Sequence, residues 1–81
     1  MSTVMTQRIE RTPGICGGDA RIAGTRIPVW LLVAYRQDGV TDERLLEFYP
    51  SLTFGDLSAA WWYFAQNREK ILRTIKEQED A

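Results

Sequence analysis

Histidine is absent from this 81-residue chain, and cysteine occurs once, at Cys16. Without imidazole the commonest general base and the commonest metal ligand are both missing. A lone thiol forms no disulfide within the chain, and no histidine is there to activate it as a nucleophile. Cys16 therefore reads as a small, half-buried apolar residue beside a turn. Long hydrophobic runs are also lacking: the longest, at 29–35 and 59–65, are seven residues each. A bilayer span needs roughly 18–20, so no membrane segment is expected. The first seven residues carry neither a basic cluster nor an apolar stretch of the kind that marks a secretion signal. A cytoplasmic location is the expectation.

An excess of basic charge is missing as well. Ten Lys and Arg stand against eleven Asp and Glu, a net charge of −1. Nucleic-acid binders usually carry an overall basic footprint, and here only the N-terminal part could offer one. Residues 1–36 hold five arginines (Arg8, Arg11, Arg21, Arg26 and Arg36) against Glu10 and Asp19, a net of +3. Residues 37–81 hold five basic and nine acidic groups, a net of −4.

What is present is a globular composition, 44% hydrophobic and 26% charged. A chain of this length is one domain near the lower size limit, burying roughly 60% of its unfolded surface. A second copy or a partner is a natural source of further burial. Residues 7–11 alternate around Ile9 as a short edge strand. Thr12-Pro13-Gly14 is a turn, and Gly17-Gly18-Asp19 can fold Ala20-Arg21-Ile22 back on Ile15-Cys16 as a hairpin. The Gly-Gly pair has no Walker-type lysine after it and is read as that turn, not as a phosphate loop. Residues 7–27 thus form a small β element anchored by Ile9, Ile15, Ile22 and Ile27.

Three helices are predicted to follow. Pro28 suits the first helical position, and the run 29–35 is apolar around its whole circumference, which asks for burial on all sides. A dimer interface is the simplest way to supply that burial. Gly39 closes this helix. Thr41 caps a second helix, with Asp42 and Glu43 at its positive end, and Pro50 ends it. Thr53 and Asp56 form a capping box, with Leu52 and Leu57 as a hydrophobic staple. The third helix is predicted to run unbroken from Phe54 to about Gln78, ~37 Å at 1.5 Å per residue. Its stripe is Leu57, Trp61, Phe64, Arg68, Ile71 and Ile75. Beyond Gln66 the helix overhangs its own domain, so Ile71, Leu72 and Ile75 are expected to dock on another chain. The predicted fold is mainly α: a single domain with a β ribbon (7–27), a three-helix, helix-turn-helix core (28–65) and a C-terminal helical extension (66–81).

The stretch from Pro13 to Val29, with Gly24-Thr25-Arg26-Ile27-Pro28-Val29 as its most specific string, closely resembles the signature of the DUF433 family. Tyr49-Pro50-Ser51-Leu52-Thr53 and the following residues 56–63 look like its second block, so the resemblance spans about 9–65. It implies a homeodomain-like, helix-turn-helix fold. Family members are commonly described as antitoxins of the VapB type, encoded beside a PIN-like nuclease toxin.

Two readings compete for most candidate residues. Arg21 and Arg26, flanking Gly24, have the planar fork that grips phosphate; alternatively they are structural, paired with Asp19 or with Asp38, Asp42, Glu43 and Glu47. Thr25, Thr53 and Ser58 join them as DNA-contact candidates. The third helix has no Arg, Lys, Asn or Gln before Gln66, which is poor equipment for reading bases. Adjacent residues of the run 61–64 point about 100° apart, so Trp62 and Tyr63 lie off the main stripe. With Trp30, Arg68, Ile71, Leu72 and Ile75 they are candidates for a dimer or partner surface, unless the first helix and strands cover them. No catalytic set, metal, cofactor or small-molecule substrate is expected. The functional expectation is an antitoxin, homodimeric, that blocks its toxin with the C-terminal helix, with contact to operator DNA left open. The rivals are a stand-alone regulator and a non-catalytic assembly subunit.

Overall fold

Ile9 and Ile22 face each other across the ribbon that begins the fold. The computed structural model describes residues 8–11 and 19–80. The predicted strand at Ile15-Cys16, the Gly17-Gly18 turn and the Cys16 thiol lie outside the described residues. Strand β1 (Ile9–Glu10) pairs antiparallel with β2 (Arg21–Ile22). This register sets two isoleucines opposite each other and a carboxylate opposite a guanidinium, both favourable cross-strand pairs. A ribbon this short has no stability of its own. It persists because Ile22 is buried in the core and Ile9 packs against it.

Helix α1 (Val29–Gln37) begins one residue after Pro28, which is its extended N-cap. It ends in a Schellman motif. Gly39, at φ +92°, donates to the Arg36 carbonyl at 3.0 Å, and Val40 donates to Tyr35 at 3.1 Å. Helix α2 (Asp42–Phe48) is capped by Thr41, whose hydroxyl accepts from the Arg44 N–H, and it stops before Pro50. Helix α3 (Phe54–Gln66) opens with the predicted capping box. The Thr53 hydroxyl accepts from the Asp56 N–H at 3.1 Å, and the Asp56 carboxylate accepts from the Thr53 N–H at 3.0 Å. Leu52 and Leu57 are both buried, as a staple requires.

The molecule is mainly helical with a short N-terminal ribbon, but the described residues contain four helices, not three. The chain leaves the helix at Asn67 and re-enters it as α4 (Arg68–Asp80). The expected overhang therefore does not exist. Helix α4 packs on α1, and Ile71 and Ile75, at 6% and 7% exposure, belong to the chain's own core, with Leu72 packed beside them. Magnitudes explain the bend. The break interrupts the helical hydrogen bonds between α3 and α4, roughly 1 kcal/mol each, and burying two isoleucines, about 1.5–3 kcal/mol apiece, together with covering Val29, Leu32 and Val33, offsets that loss.

Folding α4 back also answers the demand made by α1. Val29, Leu32 and Val33 are fully buried within a single chain, between α3 and α4. The apolar circumference of α1 therefore needs no dimer interface to cover it. At the far end of α1, Trp61 closes the corner with α2. Its indole N–H donates to Asp42 at 3.4 Å, and the Arg36 guanidinium lies 4.5 Å over its ring.

Because Ile71 is core, Ile71→Ala is expected to cost about 2–4 kcal/mol in urea unfolding. Glu77→Ala, on the exposed side of the same helix, should change stability by less than ~0.5 kcal/mol. Equal, small effects at both positions would contradict the packing of α4 on α1.

Candidate functional site

The turn after β2 is built by backbone and hydroxyl bonds. Gly24 takes φ +77°, a conformation that β-carbon-bearing residues rarely adopt. The Thr25 hydroxyl donates to the Ile22 carbonyl at 2.8 Å and accepts from the Ile27 N–H at 3.1 Å. The Ile22 N–H reaches the Ile27 carbonyl at 3.0 Å, and the Val29 N–H reaches Ala20 at 2.9 Å. Thr25 is thus a staple of its own loop, with its hydroxyl already engaged.

Arg21 is 5% exposed. Its guanidinium donates to the Glu10 carboxylate at 2.6 Å, across the ribbon. The structural pairing foreseen for Arg21 is present, but the carboxylate is Glu10 and not Asp19 or the acidic cluster near α2. Finding it required the strand register, which local sequence does not supply. Arg26 is exposed. With Arg21, Gly24 and Thr25 it lines a shallow cavity of about 330 Å³. Three of the DNA-contact candidates are therefore brought together, and of these Arg26 presents the most surface.

The other two belong to α3. The Thr53 hydroxyl is occupied by the cap, and the Arg8 guanidinium lies 3.4 Å away from it. Arg8 also bridges to Asp56 at 2.9 Å. Gly55 makes room for this guanidinium, which would meet an added β-carbon at 3.1 Å. Ser58 is exposed one turn after Phe54 and one turn before Trp62. That i, i+4, i+8 spacing puts the three on one outward strip of α3. Phe54 is 55% exposed and Trp62 44%. Phe54 was not among the sequence candidates, although the same spacing would have revealed it.

Among the remaining partner candidates, Trp30, Tyr63 and Leu72 are half-buried against the core, while Ile71 and Ile75 are inside it. Arg68 is exposed and lies 5.2 Å over the Phe64 ring. No charged residue of α3 other than Asp56 exists. Its outer strip is neutral and aromatic, the composition of protein-contact surfaces, whereas base reading relies on Arg, Lys, Asn and Gln. Among the described residues no three His, Cys, Asp or Glu side chains are grouped to hold a metal ion, and no helix is long and apolar enough to cross a membrane.

The described residues form a small, mainly helical domain in which α2, a five-residue turn and α3 follow the β ribbon and α1. The chain belongs to the DUF433 family, matching the family described as "Protein of unknown function (DUF433)" over residues 9–64. Its structure is similar to the crystal structure of a DUF433 member protein from Anabaena variabilis ATCC 29413, at 62% identity and TM-score 0.84. That likeness covers 89% of this chain and 72% of the other. No curated protein matches the chain.

The Glu10 carboxyl is held below its ordinary value of 4.5, first by the Arg21 hydrogen bond and then by the Gly24 N–H. A depressed folded-state value means stability that is complete above about pH 4.5 and lost as pH falls through the lower folded value. In Glu10→Gln the acid limb of a stability-versus-pH curve should flatten relative to wild type. Parallel losses in both proteins between pH 5 and 3, followed by urea midpoints, would show that the pair contributes nothing.

Proposed function

We propose that this chain is a non-catalytic binding protein, the antitoxin of a toxin–antitoxin pair, and that it holds a PIN-like nuclease through the outer strip of α3. The observation that carries this reading is the strip itself, with Phe54 and Trp62 half in water on a helix that bears no cation. Large aromatics of this kind supply most of the energy in protein interfaces. Family likeness supports the choice of partner, since DUF433 members are commonly described as antitoxins, often encoded beside such nucleases. The absence of histidine in the sequence fits a role without acid–base chemistry.

Binding through the C-terminal helix is less favoured by the packing. Its apolar side faces α1, so α4 would have to leave the core before it could offer Ile71 or Ile75 to a toxin. Operator contact is a second reading, favoured by Arg26, exposed on the loop of the more basic half. On that reading Arg26→Ala reduces the salt dependence of DNA binding.

The main test is co-expression with the product of the adjacent gene, expected to be a PIN-like nuclease, followed by affinity measurements on Phe54→Ser and Trp62→Gln. Each should weaken the complex by about 30-fold, the loss of a hot spot worth roughly 2 kcal/mol, with little change in melting temperature. Unchanged affinity in the double variant would refute docking through α3.

A further inference from the structure

We propose that Asn67 is the hinge of a helix exchange, in which α3 and α4 fuse into one straight helix and α4 packs on α1 of a second copy of this chain. One residue separates the two helices. Neither glycine nor proline stands at the break, and Ala65, Gln66, Arg68, Glu69 and Lys70 around it are good helix formers. The apolar positions Leu57, Trp61, Phe64, Ile71 and Ile75 keep helical spacing across it.

Asn67 bridges the bend with two hydrogen bonds. Its N–H donates to the Phe64 carbonyl at 3.1 Å, and its side-chain amide donates to the Tyr63 carbonyl at 3.0 Å. In an unbroken helix the N–H itself would serve Tyr63. The side chain thus serves the Tyr63 carbonyl in place of the helical N–H, a local competition typical of asparagine. The Asn67 carbonyl already accepts from the Ile71 N–H at 3.0 Å, the ordinary spacing of a helix. Straightening returns the Asn67 N–H to Tyr63, lets the first N–H groups of α4 pair with the last carbonyls of α3, and orphans no backbone group.

Apolar surface decides what the straight form does next. A continuous helix over 54–80 measures ~40 Å, as long as the 38 Å longest dimension of the molecule. Helix α4 would stand clear of its own domain, baring Ile71 and Ile75 and uncovering Val29, Leu32 and Val33 on α1. The complementary surface is already known, because α4 and α1 fit each other within one chain. In a two-fold pair each α4 restores those contacts on the other copy, a closed exchange. A hinge with no spare length favours such exchange, because return within the chain requires a sharp bend at one position. The inference rests on α1, α4 and Asn67 and is independent of toxin binding.

The test combines light scattering with spin-label distances, using Ser58→Cys and Lys76→Cys in a Cys16→Ser background. On a straight helix these labelled backbone positions lie ~27 Å apart, and the bend shortens that. The expected result is a long-distance population in the otherwise wild-type chain that grows with concentration, together with a doubled mass. Asn67→Ala should raise it about tenfold, through better helix propensity and loss of the side-chain bond. Insertion of three glycines after Asn67 should abolish it. A dimer that shows the short distance alone would overturn the proposal, as would absence of the long distance in the wild-type background at millimolar concentration, whether or not Asn67→Ala folds.

Discussion

Two isoleucines one turn apart, Ile71 and Ile75, complete the core by lying on α1. Helix α1 is apolar on nearly every side and cannot face water. The ribbon, α2 and α3 cover part of it, and α4 covers the rest. Without that last contact Val29, Leu32 and Val33 would be open, and a domain this small has little apolar area in reserve. The bend at Asn67 exists to make the contact. An asparagine side chain suits the place because it can serve the carbonyl that the bend releases.

Three arginines tie the elements together. Arg8 holds the first turn of α3 through Asp56, Arg21 holds the ribbon through Glu10, and Arg36 covers Trp61 at the meeting of α1, α2 and α3. Such engagement leaves the outside of α3 neutral. Helix-turn-helix geometry usually presents a cationic or amide-rich helix to DNA, and this helix presents Phe54, Ser58 and Trp62 instead. The outer strip of α3 is thus aromatic and neutral rather than cationic.

Much of the local structure was legible in the residues. The caps at Thr41 and Thr53, the Schellman glycine Gly39, the stop at Pro50 and the Leu52–Leu57 staple are short-range features whose physics lies within a few neighbours. Exposure was not legible in the same way. Trp62 and Tyr63 both lie off the apolar stripe of the third helix, yet the packed chain exposes Trp62 and half-buries Tyr63. Arg21 was legible as an ion-pair candidate but not as the partner of Glu10, since eleven positions separate the two.

The unbroken third helix marks the boundary between the two kinds of information. By propensity and spacing the residues from Phe54 to Gln78 form one helix, and they are helical throughout except at Asn67. Sequence by itself determined the helices, their caps, the turn chemistry and membership of a family. Only the tertiary structure decided where the apolar side of the last helix goes. Local patterns state that Ile71 and Ile75 must leave water; which surface receives them depends on a distant helix whose uncovered face appears only when the chain has packed.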